Sequence, residues 1–256
     1  MNDRLNEILK EMGSVCVAYS GGVDSNLLLH TAYQLLGENA YAVTVKGGMV
    51  AQAEFARAKK NLESLGIKYK IIEIDEMQVE GFVENSKDRC YFCKKAIFSK
   101  IIEQANQWGA RNVIDGSNAD DAGDYRPGMR ALKELGVRGP MKEAGLTKEA
   151  VRQLSREMGL DTAELPSNAC LATRIPYGTK INRNLMTVVE KAEDILHKKG
   201  IAVCRVRHYG DTARIEANPL DVIHADIVED FKKLGFLYVT VDLEGFVSGS
   251  MNKGLV

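Results

Sequence analysis

Short unbroken apolar runs alternate along the chain with longer stretches whose apolar positions recur every three or four residues. "SVCVAY" (Ser14–Tyr19) predicts a buried strand, the pattern over Asn26–Leu36 a helix, and "AYAVTV" (Ala40–Val45) the next strand. A polar-faced helix follows over Ala51–Leu65, then the strand "KYKIIEI", a helix over Tyr91–Trp108 and the strand "NVID" (Asn112–Asp115). Strands that alternate with helices build βαβ units, so the predicted class is α/β: a Rossmann-like, mostly parallel sheet with helices on both faces. Such sheets bind ligands at the carboxyl ends of their strands. The glycine-rich turns of this chain each follow a strand.

The pattern changes near Pro166. "LTKEAVRQLSREMGL" (Leu146–Leu160) is an amphipathic helix opened by Thr147, whereas "ELPSNACLATRIPYGTKI" carries proline and glycine punctuation and reads as a loop. From Asn184 the alternation restarts with a helix over Leu185–Lys199, strands "AVCRVRHYG" and "TARIEA", a helix over Pro219–Leu234 and the strand "YVTVDL". The expected organisation is a first domain over residues 1–166, a linking loop over 167–182 that carries Cys170, and a small α+β domain over 183–256.

Composition narrows the classes. The 256 residues are 45% hydrophobic and 27% charged, as in an ordinary globular protein with a real core. A net charge of −1 supplies no general pull toward nucleic acid or anionic lipid. No apolar run has the length of a membrane span. The opening "MNDRLNEILKEMG" reads as an amphipathic helix rather than a secretory signal, so the expected location is the cytoplasm. In that reducing compartment the five cysteines are read for metal or sulfur chemistry before disulfides.

"AYSGGVDSNLLLH" places two glycines between a strand and a helix. Such a turn exposes backbone N–H groups beside a helix N-terminus and suits an anion. It is neither a Walker A loop nor a G-x-G-x-x-G fingerprint, and two glycines alone suit an ordinary βα turn equally well. "DGSNADDAGDYRPG" (Asp115–Gly128) also follows a strand and crowds carboxylates with one arginine; alone it is a solvated turn. Cys90 and Cys93 form a lone C-x-x-C, with Arg89, Lys94 and Lys95 beside it, and Cys170 lies in the loop next to Arg174. Cys16 and Cys204 lie in strands and read as structural. Three polar-set cysteines are one fewer than a cubane iron–sulfur cluster takes, which leaves one iron open. Exposed thiols without a role fit the same pattern. Arg205 and Arg207 are two apart on a strand and share a face, where they form either an anion grip or a solvated pair.

"SGGVDS", "RCYFCKK", "GSNADDAGDYRPG", "CLATRIPYG" and "RVRHYGDTARIE", in that order, resemble the LarE family of ATP-dependent sulfur transferases across essentially the whole chain. The first motif is shared by the wider PP-loop ATP pyrophosphatase superfamily; the last two are more specific. The resemblance implies that Ser20, Gly21, Gly22 and Ser25 hold pyrophosphate, that Asp24 helps bind Mg²⁺, and that adenine lies near Ala18 and Thr44 to Lys46. It makes Gly116, Asp121, Asp124 and Arg126 nucleotide or Mg²⁺ neighbours. It implies adenylation of the carboxylates of a pyridinium-3,5-biscarboxylic acid mononucleotide and exchange of oxygen for sulfur, with release of AMP. The product serves the nickel-pincer nucleotide cofactor.

Two sulfur strategies occur in the family. In one, a cysteine at the place of Cys170 gives up its own sulfur; in the other, three cysteines hold a 4Fe–4S cluster whose open iron is thought to carry a hydrosulfide. Cys90, Cys93 and Cys170 resemble the cluster type, which implies sulfide or another sulfur donor. Arg205 and Arg207 then hold the substrate phosphate, Glu216 orients them or the substrate, Arg174 stabilises charge on the acyl oxygen, and Thr173 and Tyr177 are neighbours. Homo-oligomers, a hexamer among them, are implied as well. Three other readings stay open: a tRNA thiolase, an amidotransferase- or NAD-synthetase-like ligase, and a non-catalytic ATP-binding sensor. The first lacks the usual zinc pairs or RNA-binding domain here, the second leaves the cysteines unexplained, and the third needs neither cysteines nor paired arginines.

Overall fold

The computed structural model describes residues 3–123, 127–166, 169–221 and 223–253. The chain forms two compact units, one of Met1–Asp75 with Asp88–Asn168, the other of Glu76–Lys87 with Ala169–Val256.

The first unit runs α1 (Asp3–Met12), β1 (Val15–Ala18), α2 (Val23–Leu36), β2 (Ala40–Lys46), α3 (Gln52–Leu65), β3 (Lys68–Glu73), α4 (Arg89–Gln107), β4 (Asn112–Ile114), α5 (Pro127–Glu134), α6 (Pro140–Glu143) and α7 (Lys148–Glu157). Its strands form one parallel sheet in the order β3-β2-β1-β4. Alternation along β1 explains the two helical layers. Val15 and Val17 face a core with α1, α2, α3 and α7, through residues such as Leu9, Leu28, Leu62 and Val151. Cys16 faces the other side, with Phe98 and Ile101 of α4 and Leu132 of α5. Burial pushes the Cys16 thiol up to about 12, so it is an inert core residue, as its place in the strand suggested. Thr147 caps α7 by accepting from the Ala150 N–H at 3.2 Å, in agreement with its reading as a helix start.

The second unit contains α8 (Arg183–Lys198), β5 (Val203–Tyr209), β6 (Thr212–Asn218), α9 (Val228–Lys233) and β7 (Tyr238–Val241). β5 pairs antiparallel with β6, and β6 parallel with β7, which makes a small mixed sheet. One face, with Cys204, Val206, Ala213, Ile215 and Ala217, packs on Leu196 of α8 and Phe231 of α9. The other face carries Arg205, Arg207, Arg214 and Glu216. The Cys204 thiol, buried in that core, is pushed up to about 12.

Two features differ from the sequence pattern. The helix expected over Pro219–Leu234 is a 3₁₀ turn over Ala225–Ile227 followed by the short α9. Its buried apolar anchors begin only at Ile227, and the upstream Pro219 and Asp221 favour helix poorly. The strip Glu76–Lys87 belongs to the second unit, although nothing in its periodicity marks it. Asn85 ties it there: fully buried with φ +52°, it donates through Nδ2 to the carbonyls of Pro176 (2.8 Å) and Thr179 (2.9 Å). Its own carbonyl accepts from the Gly178 N–H at 3.0 Å. Among the described residues, no helix is long and apolar enough to cross a membrane.

Candidate active site

β1 ends at Ala18, and the chain turns through Ser20, Gly21 and Gly22 into α2. Gly21 has φ +76°, and a Cβ there would lie 2.7 Å from the Ala58 Cβ and 3.0 Å from its Cα. Both the left-handed backbone and the contact with α3 require glycine. Gly22 is the extended N-cap of α2 and offers the first turn no side-chain cap, so that turn can present its N–H groups to an anion. The two serines brace the loop: Ser20 and Ser25 Oγ are 3.0 Å apart, the Ser20 N–H donates to Ser25 Oγ (3.2 Å), and Ser25 Oγ donates to the Gly22 carbonyl (3.2 Å).

β4 delivers the second loop against this one. A Cβ on Gly116 would sit 3.0 Å from Ser25 N and 3.3 Å from Asp24 Cβ, so this glycine sets the approach. The buried Asn118 donates through Nδ2 to Asp24 Oδ1 at 2.9 Å, while its own N–H is accepted by Asp121 Oδ2 at 3.0 Å. Asn118 thus fixes the carboxylate of Asp24 in the first turn of α2 and links it to Asp121. Asp115, beside them, has a raised pKa because burial penalises its charge, against the opposing effects of Lys94 and of two bonds from Ser117. Parallel pairing brings the carboxyl ends of β1 and β2 together: Ala18 is in register with Val43, next to the buried Thr44. The Lys46 ammonium pairs with Glu73 of β3 at 2.8 Å on the surface. Asp124 and Arg126 lie outside the described residues.

Cys90 and Cys93 lie in the first turn of α4, half-buried and buried respectively. The buried Arg89 donates through Nη2 to Cys90 Sγ at 3.8 Å. Lys94, on the same helix, runs along Gly128 of α5, where a Cβ would meet its Cδ at 2.7 Å. Among the described residues no three His, Cys, Asp or Glu side chains are gathered as a metal site.

In the second unit Cys170 is half-buried and precedes the 3₁₀ turn Leu171–Arg174. Arg174 is 2% exposed, and all three of its guanidinium nitrogens are bonded. Nε and Nη2 each donate to Glu193 of α8 at 2.9 Å; Nη1 donates to the carbonyls of Ala169 (2.5 Å) and Cys170 (3.1 Å) and to Thr173 Oγ1 (3.1 Å). Where the sequence suggested a donor for the substrate, the structure has a clamp on the backbone around Cys170. Burial raises the Glu193 pKa, but Arg174, Arg205 and the Val206 N–H (3.0 Å) outweigh it and hold the carboxyl below its ordinary value.

Arg205 and Arg207 do share a face, yet they are only 3% and 4% exposed. Arg205 donates to the Cys204 carbonyl (2.6 Å) and lies 4.8 Å from the Phe246 ring centroid. Arg207 donates through Nη2 to Glu216 (2.5 Å) and Ser250 Oγ (2.9 Å), and through Nη1 to the Thr173 carbonyl (3.3 Å). Glu216, fully buried, also accepts from Arg214 Nη2 at 2.7 Å. Tyr177 donates to Asn252 Oδ1 at 3.2 Å.

Sequence reasoning passed over Asn118, Ala58, Glu193, Arg214 and Ser250. Glu193 left a signal: it stands among Met186, Val189, Ala192 and Leu196 on the buried face of α8, where a carboxylate needs a partner. The other four left none, since a polar turn residue, a helix alanine or a strand arginine has many ordinary settings.

Comparison with known proteins agrees with this geometry. The NAD synthase family model matches residues 1–106, the part that contains the glycine turn. The chain is 38% identical to an uncharacterized protein of Synechocystis sp., with 99% of this chain and 97% of that one aligned. It is 28% identical to an uncharacterized protein of Methanocaldococcus jannaschii, over 95% of this chain and 94% of that one. With the pyridinium-3,5-bisthiocarboxylic acid mononucleotide synthase of Lactiplantibacillus plantarum it shares 35% identity over 96% of its own length and 92% of the relative's. At that identity and coverage, with a glycine turn opening α2 from a parallel sheet, the chain belongs to the LarE family of the PP-loop ATP pyrophosphatase superfamily.

Proposed function

We propose that this protein is an ATP-dependent sulfur transferase acting on a pyridinium-3,5-biscarboxylic acid mononucleotide. The observation that carries the reading is the Ser20–Ser25 turn, with Asp24 fixed by Asn118, in a chain alignable almost end to end with a synthase of the corresponding bisthiocarboxylic acid. A carboxylate is a poor electrophile because oxide would have to leave. Attack of its oxygen on the α-phosphorus of ATP releases pyrophosphate and makes an acyl adenylate. A sulfur nucleophile then adds to the acyl carbon, and AMP leaves with the carboxylate oxygen.

Ser20, Gly21, Gly22 and Ser25 receive the pyrophosphate on the N-terminus of α2. Asp24, whose orientation Asn118 sets, suits Mg²⁺, a hard cation that takes oxygen ligands. Adenine rests near Ala18 and Thr44 to Lys46, and Gly116, Asp121, Asp124 and Arg126 are neighbours of the nucleotide or of Mg²⁺. Arg205 and Arg207 hold the substrate phosphate, with Glu216 orienting them, and residues 183–256 are the substrate-binding and oligomerising domain. Arg174 is a positioning residue: it holds the carbonyls of Ala169 and Cys170, so that the Cys170 thiol is presented from a fixed backbone.

The thiols of Cys90, Cys93 and Cys170 are the donor set we assign to a 4Fe–4S cluster. In its support, the first two stand one turn apart on α4, and the Arg89 guanidinium donates to Cys90 Sγ, as suits a negatively charged sulfur. When bound, the cluster would pass on the sulfur of sulfide or another sulfur donor. The competing reading keeps Cys170 alone as the donor. Its Cβ–S bond would then break and leave dehydroalanine after one transfer.

The two readings separate on variants of Cys90. Protein purified without oxygen should contain iron and acid-labile sulfide in near-stoichiometric amounts, and Cys90→Ala should lose both together with sulfur transfer. Iron-free protein that still transfers sulfur would return the chemistry to Cys170. Pyrophosphate release should in either case require the carboxylate acceptor. Release that ignores the acceptor would contradict the proposed function.

A further inference from the structure

The charged face of the β5–β6 hairpin is covered by the chain's own C-terminal segment. The 3₁₀ turn Ser250–Asn252 lies on it, and each residue from Ser250 to Lys253 is held through its side chain. Ser250 Oγ receives Arg207 Nη2 at 2.9 Å and is 3.0 and 3.1 Å from the two oxygens of Glu216. Met251 Sδ is 3.6 Å from the Tyr209 hydroxyl, Asn252 Oδ1 accepts from Tyr177 at 3.2 Å, and Lys253 pairs with Glu244. A cavity of about 230 Å³ opens beside the turn, between Arg214, Asp242, Met251 and Lys253.

The segment has a fixed root. Asn218, at the end of β6, grips Phe246 from both sides: its Nδ2 donates to the Phe246 carbonyl at 2.9 Å, and its Oδ1 accepts from the Phe246 N–H at 3.2 Å. Gly245, just before, has φ +68°, and a Cβ there would collide with Asn218 Oδ1. Beyond this root the contacts are polar and few. The bonds of Ser250 reach buried charged groups, whereas the Lys253–Glu244 pair is exposed and holds weakly. With residues 247–249 and Lys253 exposed, the segment opens at lower free energy than the buried sheet it lies on.

The face beneath it is cationic. Arg205, Arg207 and Arg214 stand against Glu216 and Asp242, which leaves one positive charge in excess. The Ser250 hydroxyl accepts from Arg207 and donates to Glu216, and a phosphate monoester that keeps one P–OH makes both contacts, with charge-assisted bonds to the guanidinium.

We propose that residues 247–253 are a displaceable cover of the substrate-phosphate site, with Ser250 Oγ standing between Arg207 and Glu216 where the protonated oxygen of a phosphate monoester binds. The phosphate of a mononucleotide expels Ser250, the segment swings out from its root at Phe246, and Arg207 and Arg214 become available to the ligand. A ligand without a phosphate cannot open the site, so the cover selects for the nucleotide form of the acceptor. This inference rests on the reading of Arg207 as a phosphate ligand.

Calorimetry with inorganic phosphate and with nicotinic acid mononucleotide, alongside hydrogen exchange of residues 247–253, tests it on the full chain. Ser250→Ala should bind both probes about tenfold more tightly, because the closed form no longer competes as well. Bound ligand should strip protection from residues 247–253 of the unaltered protein, and Arg207→Ala should abolish binding. Binding that depends on Arg207 but leaves the protection of 247–253 unchanged or raised would overturn the cover and spare the phosphate site. Binding that survives Arg207→Ala, or is missing from both the unaltered protein and Ser250→Ala, would overturn the phosphate site and the cover with it.

Discussion

Asp24→Ala is expected to slow pyrophosphate release by roughly a hundred- to a thousandfold at unchanged stability, the range found when one preorganised electrostatic element is removed. Asp24 sits in the first turn of α2, outside the hydrophobic core, and its carboxylate is held by Asn118 at 2.9 Å. The substitution therefore removes the proposed ligand for Mg²⁺ without opening a cavity. Asn118→Ala leaves the carboxylate in place but releases its orientation, and a loss of about ten- to a hundredfold is expected there, as for other groups that orient metal ligands. Raising the Mg²⁺ concentration should recover part of the Asn118→Ala rate and little of the Asp24→Ala rate. A pyrophosphate-release assay with Mg²⁺ as the variable separates these outcomes. An Asp24→Ala rate near that of the unaltered protein would remove Asp24 from the site.

The second large effect is structural. Glu193→Ala should destabilise the second unit by roughly 3–5 kcal/mol, the usual result of stranding one member of a buried ion pair. Arg174 is almost fully buried, and Glu193 supplies both of its carboxylate contacts and also accepts the Val206 N–H. Replacing both members, as in Arg174→Met with Glu193→Leu, should lose less stability than Glu193→Ala alone, because no charge is left unpaired. The sign of the pH dependence follows from the depressed Glu193 pKa. The stabilisation is complete above the unfolded carboxylate value of about 4.3 and is lost as pH falls through the lower folded value. The unaltered protein should therefore lose protection of the Val206 amide on acidification below about pH 4, whereas Glu193→Ala should show low protection already at neutral pH. Equal protection in the two proteins at neutral pH would show that the pair does not hold the unit together.

The sheet of the first unit was legible because its central strands β1 and β2 are continuous apolar runs buried by helices of clear period, and the Ser20–Ser25 turn because glycines there have a backbone reason. The site around Cys170 was legible only in part. Arg174 and Arg205 are polar letters in a loop and a strand, and their spacing says nothing of burial; the partners that bury them, Glu193 and Phe246, lie far off in sequence. The strip Glu76–Lys87 belongs to the second unit through Asn85, whose left-handed backbone and three carbonyl contacts leave no periodic trace. The helix expected from Pro219 was overextended for the opposite reason: apolar letters continued where the buried anchors of α9 did not.

Mass spectrometry shows whether ATP cleavage is coupled to the placing of sulfur on a carboxylate. Protein prepared without oxygen would be incubated with ATP, Mg²⁺, sulfide and the pyridinium biscarboxylate mononucleotide, and the masses of acceptor, nucleotide and intact protein read together. The expected products are an acceptor heavier by the difference between sulfur and oxygen, one AMP for each exchange, and a polypeptide of unchanged mass after several turnovers. An acceptor of unchanged mass beside consumed ATP would contradict that coupling.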